Sequence, residues 1–181
     1  MLRPSDFYRE MPTTGGYSEP LTFAAISYII SGLLTVIFIR GLHIGDMYGV
    51  DSSEFSFSML LTAVIMTPIS GIIYLFIVGA IFYITYKILG GTGSYEGTVR
   101  FMSYASAILV VSWIPLLNLI AWIYGIYLYI VGGTFVHKVS MGKSALAILL
   151  PYILAILLAI ILLAIIITAV VAFFGSDFFE F

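Results

Sequence analysis

The residues best suited to chemistry are the glycines and charges of one short stretch, "ILGGTGSYEGTVRFMSYAS" (88–106). Glycine-rich loops bind phosphate when Gly-Lys-Ser/Thr follows a first glycine by four residues, or when Gly-x-Gly-x-x-Gly follows a strand. No lysine follows Gly97, and apolar sequence without a strand pattern flanks the stretch. Both nucleotide interpretations therefore fail. The sequence instead predicts a turn in which Gly90 and Gly91 end one helix and Ser94 caps the next.

The charges of this stretch, Glu96 and Arg100, are spaced by one helical turn. Arg100 is expected either to extend towards lipid headgroups or to pair with Glu96. Neither role is catalytic. We expect structural or interaction roles for Gly90, Gly91, Gly93, Glu96, Arg100, Tyr104, Pro68, Pro115, Asn118 and Pro151.

A second candidate lies in the acidic stretch "GLHIGDMYGVDSSEF" (41–55). Its His43, Asp46, Asp51 and Glu54 offer oxygen and nitrogen atoms to a hard cation. The favoured interpretation is a solvated acidic loop that helps to set membrane topology. We therefore predict no metal site, no cofactor and no catalytic residue.

The composition places this chemistry in a membrane. Of the 181 residues, 62% are hydrophobic and only 9% are charged, against about 25% charged in an average globular domain. The absence of cysteine excludes thiolate metal sites and cysteine nucleophiles. A net charge of −2 is unlike the basic surface that nucleic acid requires, so we expect no nucleic-acid partner.

Gaps between the charges predict an all-α, polytopic membrane bundle. The gap at 101–136 would make a helix of roughly 54 Å, too long for one crossing of a hydrocarbon core of about 30 Å. Pro115 and Asn118 are expected to fold it into a hairpin, Pro68 to kink the second span, and Pro151 to follow an interfacial turn. Five spans result, at 20–39, 59–86, 99–116, 118–136 and 144–174, within a membrane domain at 20–176.

The positive charges predict the orientation. With the N-terminus inside, six of the seven Lys and Arg residues lie on the cytoplasmic side and only Arg40 lies outside. The lead-in 1–19 would then be cytoplasmic, with a short interfacial helix or a solvated segment, and the tail 177–181 would lie outside. His137 beside Lys138 is interpreted as an interfacial anchor. Candidate lipid-headgroup residues are Arg9, Lys87, Arg100, Lys138 and Lys143.

No His or carboxylate pair lies at mid-span depth, so the usual carriers of acid-base catalysis and proton coupling are missing. The sequence therefore predicts a non-enzymatic protein. Several tyrosines, among them Tyr74, Tyr104 and Tyr129, are interpreted as interfacial and packing residues, with the lining of a narrow cavity as the alternative.

The glycine stretch, followed by "WIP" and by "GGTFVHKVSMGKSALAILLP", resembles the Yip domain family, and the lead-in resembles its short prokaryotic members. The proline that members often carry after the Tyr-Ala stretch is absent. The resemblance implies a small five-span scaffold or adaptor that organises lipids or partner proteins, itself included. In prokaryotic members the cell membrane would be its location. The alternative is a passive transporter, channel or lipid-moving protein with a groove among its helices.

Overall fold

The computed structural model describes residues 3–41 and 57–174, and every regular element in these ranges is helical. The acidic-loop residues 43–54 and the tail 177–181 lie outside the described residues. In chain order the elements are α1 (Pro4–Glu10), α2 (Ser18–Gly41), α3 (Phe57–Leu61), a π-helical turn (Thr62–Met66), α4 (Thr67–Ile88), α5 (Tyr95–Ala105), a 3₁₀ segment (Ser106–Val111), α6 (Pro115–His137) and α7 (Met141–Phe174).

Four stretches are long and apolar enough to cross a membrane, which confirms the helical membrane fold at this coarser level. They are Ser18–Phe38, Phe57–Ile88, Leu116–His137 and Met141–Phe173. Each overlaps one predicted span. The predicted span at 99–116 is not among the four, because α5 has only 11 residues and gives way to the 3₁₀ segment.

Serine side chains account for the early end of α5. The Ser103 hydroxyl donates to the Val99 carbonyl at 2.8 Å, and the Ser106 hydroxyl donates to the Ser103 carbonyl at 2.6 Å. Such bonds compete with the backbone for carbonyls and favour a change of helical geometry. The chain thus leaves regular α geometry after the Tyr-Ala stretch without a proline.

The distortion expected at Pro68 lies in the turn before this proline. Pro68 lies in the first turn of α4, and the distortion is the preceding π-helical turn. A proline ring clashes with the carbonyl four residues before it and lacks an N–H donor, so the π turn relieves the clash while the helix continues. The Thr67 hydroxyl bonds the Thr62 carbonyl at 3.3 Å across this turn.

Pro115 and Pro151 differ in their positions, since Pro115 begins a helix and Pro151 lies inside one. Pro115 begins α6 after an extended Ile114, so the turn precedes Asn118, whose backbone N–H already bonds the Ile114 carbonyl at 2.8 Å. The turn expected before Pro151 was wrong, since α7 runs unbroken through it. In membrane helices neighbouring groups satisfy the carbonyl that a proline frees.

The core lies at the end of the bundle where α4 and α6 end and α7 begins. Helix α5 is its centre and packs on α2, α4 and α6. Val99, Phe101 and Met102 are fully buried there. The later half of α7, in contrast, exposes large apolar side chains along residues 153–173, as a lipid-facing helix would.

Candidate functional site

The turns at this end meet to form what we call the cap: lead-in residues 3–17, the glycine loop 89–94, the start of α5 and the 138–140 turn. The Thr92 N–H donates to the His137 carbonyl at 3.0 Å. The Lys143 ammonium donates to the Leu89 carbonyl at 3.2 Å. These bonds join the glycine loop to the α6–α7 turn.

Close backbone approach explains the glycines of the loop. Gly90 has φ +85°, in the region that favours glycine, directly after the helix end. A Cβ on Gly91 would lie 2.9 Å from the Tyr86 carbonyl oxygen, and a Cβ on Gly93 would lie 2.6 Å from the Val136 carbonyl oxygen. The loop therefore fits against α6 only with bare backbone.

His137 is the side chain that the loop encloses. It is fully buried, and its Nε2 lies 2.8 Å from the Thr98 hydroxyl. Its ring stacks on Tyr86 with centroids 4.0 Å apart and planes inclined by 5°. The Tyr86 hydroxyl in turn lies 2.7 Å from the Ser144 hydroxyl. His137 thus links α4, α5, α6 and α7, which corrects its interpretation as an interfacial anchor.

The start of α5 carries the predicted cap residue. The Gly97 N–H donates to the Ser94 hydroxyl at 3.0 Å, which confirms Ser94 as the helix cap. The Tyr95 hydroxyl donates to the Phe76 carbonyl at 2.8 Å. This bond fixes the helix start against α4.

Arg100 is buried with 1% of its side chain exposed, so it does not extend to headgroups. Its Nε donates to the Pro12 carbonyl at 2.7 Å, and a terminal nitrogen donates to the Gly16 carbonyl. Its guanidinium also lies 3.9 Å from a carboxylate oxygen of Glu96, the expected partner. A Glu19 carboxylate oxygen also lies 3.9 Å from the guanidinium. The expected headgroup role of Arg100 is wrong, because backbone carbonyls and two carboxylates replace the water that a buried cation loses.

The lead-in is held at further points. The Glu96 carboxylate accepts from the Gly16 N–H at 2.7 Å. Helix α1 packs on α6, with Tyr8 buried and its hydroxyl donating to the Phe101 carbonyl at 3.3 Å. Burial, and then the nearby Tyr124, raise the pKa of the Tyr8 phenol. Tyr104 lies 5.3 Å, ring to ring, from Phe7.

The other four headgroup candidates surround the cap and are exposed: Arg9, Lys87, Lys138 and Lys143. The Arg9 guanidinium lies 5.7 Å above the ring of Phe135, and the Lys87 ammonium lies 5.4 Å above the ring of Tyr83. The structure thus places these cations at one end of the bundle.

A family model described as the Yip1 domain matches residues 1–164. The chain belongs to the Yip1 domain family. No curated protein and no solved structure matches it. The match includes the whole cap, from the lead-in to the first residues of α7, and the four apolar helices agree with an integral membrane protein.

Sequence reasoning missed two residues of the His137 network next to the cap of this Yip1 family protein, Tyr86 and Ser144. A signal existed in "GGTFVH", since Gly133 precedes His137 by one helical turn. The Tyr86 hydroxyl occupies the position that a Cβ on Gly133 would need. The adjacent Gly132 and Gly133 indicate that another helix or side chain packs closely here, but they do not identify that neighbour.

Within the described ranges, no three His, Asp or Glu side chains are grouped as a metal site. The His137 Nδ1 is buried and has no hydrogen-bond partner among the described atoms. The cap is therefore a packed, hydrogen-bonded junction of helix ends. Its outer surface carries the exposed cations Arg9, Lys87, Lys138 and Lys143 together with the exposed acidic residues Asp6 and Glu10.

Proposed function

We propose that this Yip1 family protein is a non-enzymatic membrane scaffold or adaptor that gathers lipids and partner proteins, including copies of itself, at the cap. The observation that supports this proposal is the buried Arg100, which holds the Pro12 and Gly16 carbonyls of the lead-in. A surface ordered in advance loses little conformational entropy when a partner binds.

The proposal includes five membrane crossings with the cap in the cytoplasm. The segment from Tyr95 begins at the cap, and its continuation at Trp113 packs on Phe38 with ring centroids 4.9 Å apart. Phe38 ends the 21-residue apolar stretch that begins at Ser18, so it lies about 30 Å from the cap. Residues 95–113 thus run through a depth similar to that of a hydrocarbon core and would supply the fifth crossing.

Five crossings would leave the N-terminal lead-in and the end of α7 on opposite sides. The exposed cations Arg9, Lys87, Lys138 and Lys143 favour a cytoplasmic cap, and they would attract anionic headgroups to it. The cell membrane of a prokaryote is the proposed location, in keeping with the resemblance of the lead-in sequence to prokaryotic members of the family.

Native mass spectrometry of the full chain, gently extracted from its own membrane, tests the scaffold. We expect a homo-oligomer or a stoichiometric protein companion, together with bound anionic lipid. The double variant Arg9→Gln/Lys87→Gln should lower anionic-lipid occupancy several-fold, whereas Glu10→Gln, an exposed change of opposite sign on α1, should not lower it. A monomer without a companion, with the same lipid occupancy in all three proteins, would contradict the proposal.

A second candidate function, passive movement of lipid through a groove, is favoured by a separate observation. A cavity of about 570 Å³ lies among the helices, and none of its lining residues is charged. Transport of an uncharged lipid needs no embedded charge. Purified protein in liposomes should then accelerate exchange of a labelled lipid between leaflets, and an exchange rate equal to that of empty liposomes would exclude this function.

A further inference from the structure

The cavity lies between α4, α6 and the 3₁₀ segment, with α7 on one side. Ser70, Tyr74 and Trp122 line it and are exposed, so its mouth opens between α4 and α6. A volume of about 570 Å³ falls in the range of sites for single small ligands, roughly 300–1,000 Å³. The cavity is thus large enough for one small amphiphile or one chain of a larger lipid.

Position along the helices sets the depth of this cavity. Tyr74 precedes the end of α4 at Ile88 by 14 residues, and Tyr152 follows the start of α7 at Met141 by 11 residues. At 1.5 Å per residue the backbone positions of these two tyrosines lie about 21 and 17 Å along their helices from the cap end. With a hydrocarbon core of about 30 Å, the mouth faces lipid chains rather than headgroups.

Four tyrosines line the cavity, and two of them, Tyr74 and Tyr152, bond each other near its mouth. The hydroxyls of Tyr74 and Tyr152 lie 3.2 Å apart. In this bond one phenol donates and the other accepts, which leaves one O–H donor and several acceptor positions on the pair. An uncharged oxygen, a hydroxyl or an ester carbonyl, can accept from this donor without the large cost of burying an unpaired charge.

Charge narrows the class of ligand. Every lining residue is apolar, glycine, or a neutral hydroxyl or aromatic residue, so a buried anion or cation would have no counter-charge there. The apolar walls suit an alkyl chain, and the phenols suit one neutral polar group.

We propose that this cavity binds an uncharged, hydroxyl-bearing lipid, with its chain between α4 and the 3₁₀ segment and its polar end on the Tyr74–Tyr152 pair. This binding site gives a ligand to the second candidate function, passive movement of lipid. Binding itself does not require movement between leaflets. It is also independent of the scaffold at the cap.

The glycines of the cavity suggest the variant that tests it. A Cβ on Gly71 would lie 2.5 Å from the ring of Tyr28, so substitution there would disturb the packing. A Cβ on Gly125 would meet only Ile108, at an ordinary 3.6 Å. Gly125→Leu therefore adds volume at the cavity with little backbone strain. Gly142→Leu, with nothing within 4 Å of the added Cβ, is the matched control.

The experiment is photolabelling of the full chain in vesicles with a diazirine-bearing monoacylglycerol. We expect labelled peptides from α4, α6 or the 3₁₀ segment, with labelling lowered at least fivefold in Gly125→Leu and unchanged in Gly142→Leu. The corresponding fatty acid, charged at neutral pH, should label at least tenfold less. The double variant Tyr74→Phe/Tyr152→Phe, which keeps the cavity, should lower labelling by the monoacylglycerol but not by an alkane diazirine.

Three results would overturn the inference: equal labelling of Gly125→Leu and Gly142→Leu, equal labelling by the charged and neutral probes, or labels confined to the outer face of α7. Each variant is compared at equal monodispersity and melting temperature. Leaflet exchange equal to that of empty liposomes, with labelling intact, would exclude transport and leave the binding site standing. If native mass spectrometry shows no oligomer or companion while photolabelling is intact, the result counts against the scaffold and not against this binding site.

Discussion

His137 packs directly against the glycine loop, and each needs the other to stay in place. The loop can pass over the imidazole because Gly91 and Gly93 have no side chain, and the imidazole stays in place because Thr98 and Tyr86 hold it. A motif that resembles a phosphate loop in composition is thus used to pack helix ends.

The first residue-scale prediction concerns Gly93→Ala. The new Cβ would lie 2.6 Å from the Val136 carbonyl oxygen and 2.7 Å from His137 Nδ1, so either the loop or α6 must shift. We expect a loss of about 1–3 kcal/mol, typical of overpacking, measured by thermal unfolding in detergent. Gly142→Ala, which has open space around the added Cβ, is the control. Equal melting temperatures for the two variants would show that the loop is not packed as described.

The second concerns the hydrogen bond between Thr98 and His137. Thr98→Val keeps the shape but removes the partner of a buried ring nitrogen, which should cost about 1–3 kcal/mol. Thr168→Val is a matched control, since the Thr168 hydroxyl also bonds a carbonyl four residues earlier but is exposed. Chemical denaturation should separate the two variants, and equal unfolding curves would contradict a stabilising role for this bond.

At the scale of elements, the lead-in is attached to the bundle because Arg100 of α5 donates hydrogen bonds to two of its carbonyls. The sequence predicts either a short N-terminal helix or a solvated lead-in, and it predicts for Arg100 either extension to headgroups or pairing with Glu96. The structure has the helix and the pairing. The sequence could not predict the bonds to Pro12 and Gly16, because they join positions more than 80 residues apart. Tertiary contacts of this kind leave no periodic pattern.

Local geometry was predictable where one residue type decides it. Ser94 caps α5 as predicted, because an N-cap serine has one strong preference. Pro115 was expected to end a helix before a turn at Asn118, whereas it begins α6, at the N1 position that proline also favours. The 3₁₀ segment was not predicted, since its apolar residues fit a helix equally well. Pro151 was misjudged because lipid-embedded helices continue through proline more readily than soluble ones.

The prediction for this scale is release of the lead-in by Arg100→Met. Hydrogen bonds to a charged group contribute about 1.5–3 kcal/mol each, so the lead-in should open at least about tenfold more often. Hydrogen exchange of residues 3–17, read by mass spectrometry, measures this opening. Lys87→Met, an exposed cation at the same end, should leave the exchange unchanged. Equal protection in Arg100→Met and the wild type would contradict the anchoring of the lead-in.

At the scale of the whole molecule, a hydrogen-bonded cap with exposed cations continues into an apolar bundle that contains a cavity without charged lining residues. Four apolar helices and membership of the Yip1 family support the membrane location. We propose the direction of the cap from the positions of the exposed cations, and the crossing by residues 95–113 from the contact between Trp113 and Phe38. These two points decide where a partner would meet the protein.

Cysteine accessibility in intact cells tests the direction of the cap and the crossing by residues 95–113 most directly, because the chain has no native cysteine. Thr92→Cys lies in the glycine loop, and Leu116→Cys lies in the first turn of α6; both positions are exposed. We expect a membrane-impermeant maleimide to label Leu116→Cys in intact cells and to label Thr92→Cys only after lysis. Labelling of both from one side would contradict the crossing by residues 95–113, and the reversed pattern would place the cap outside the cell.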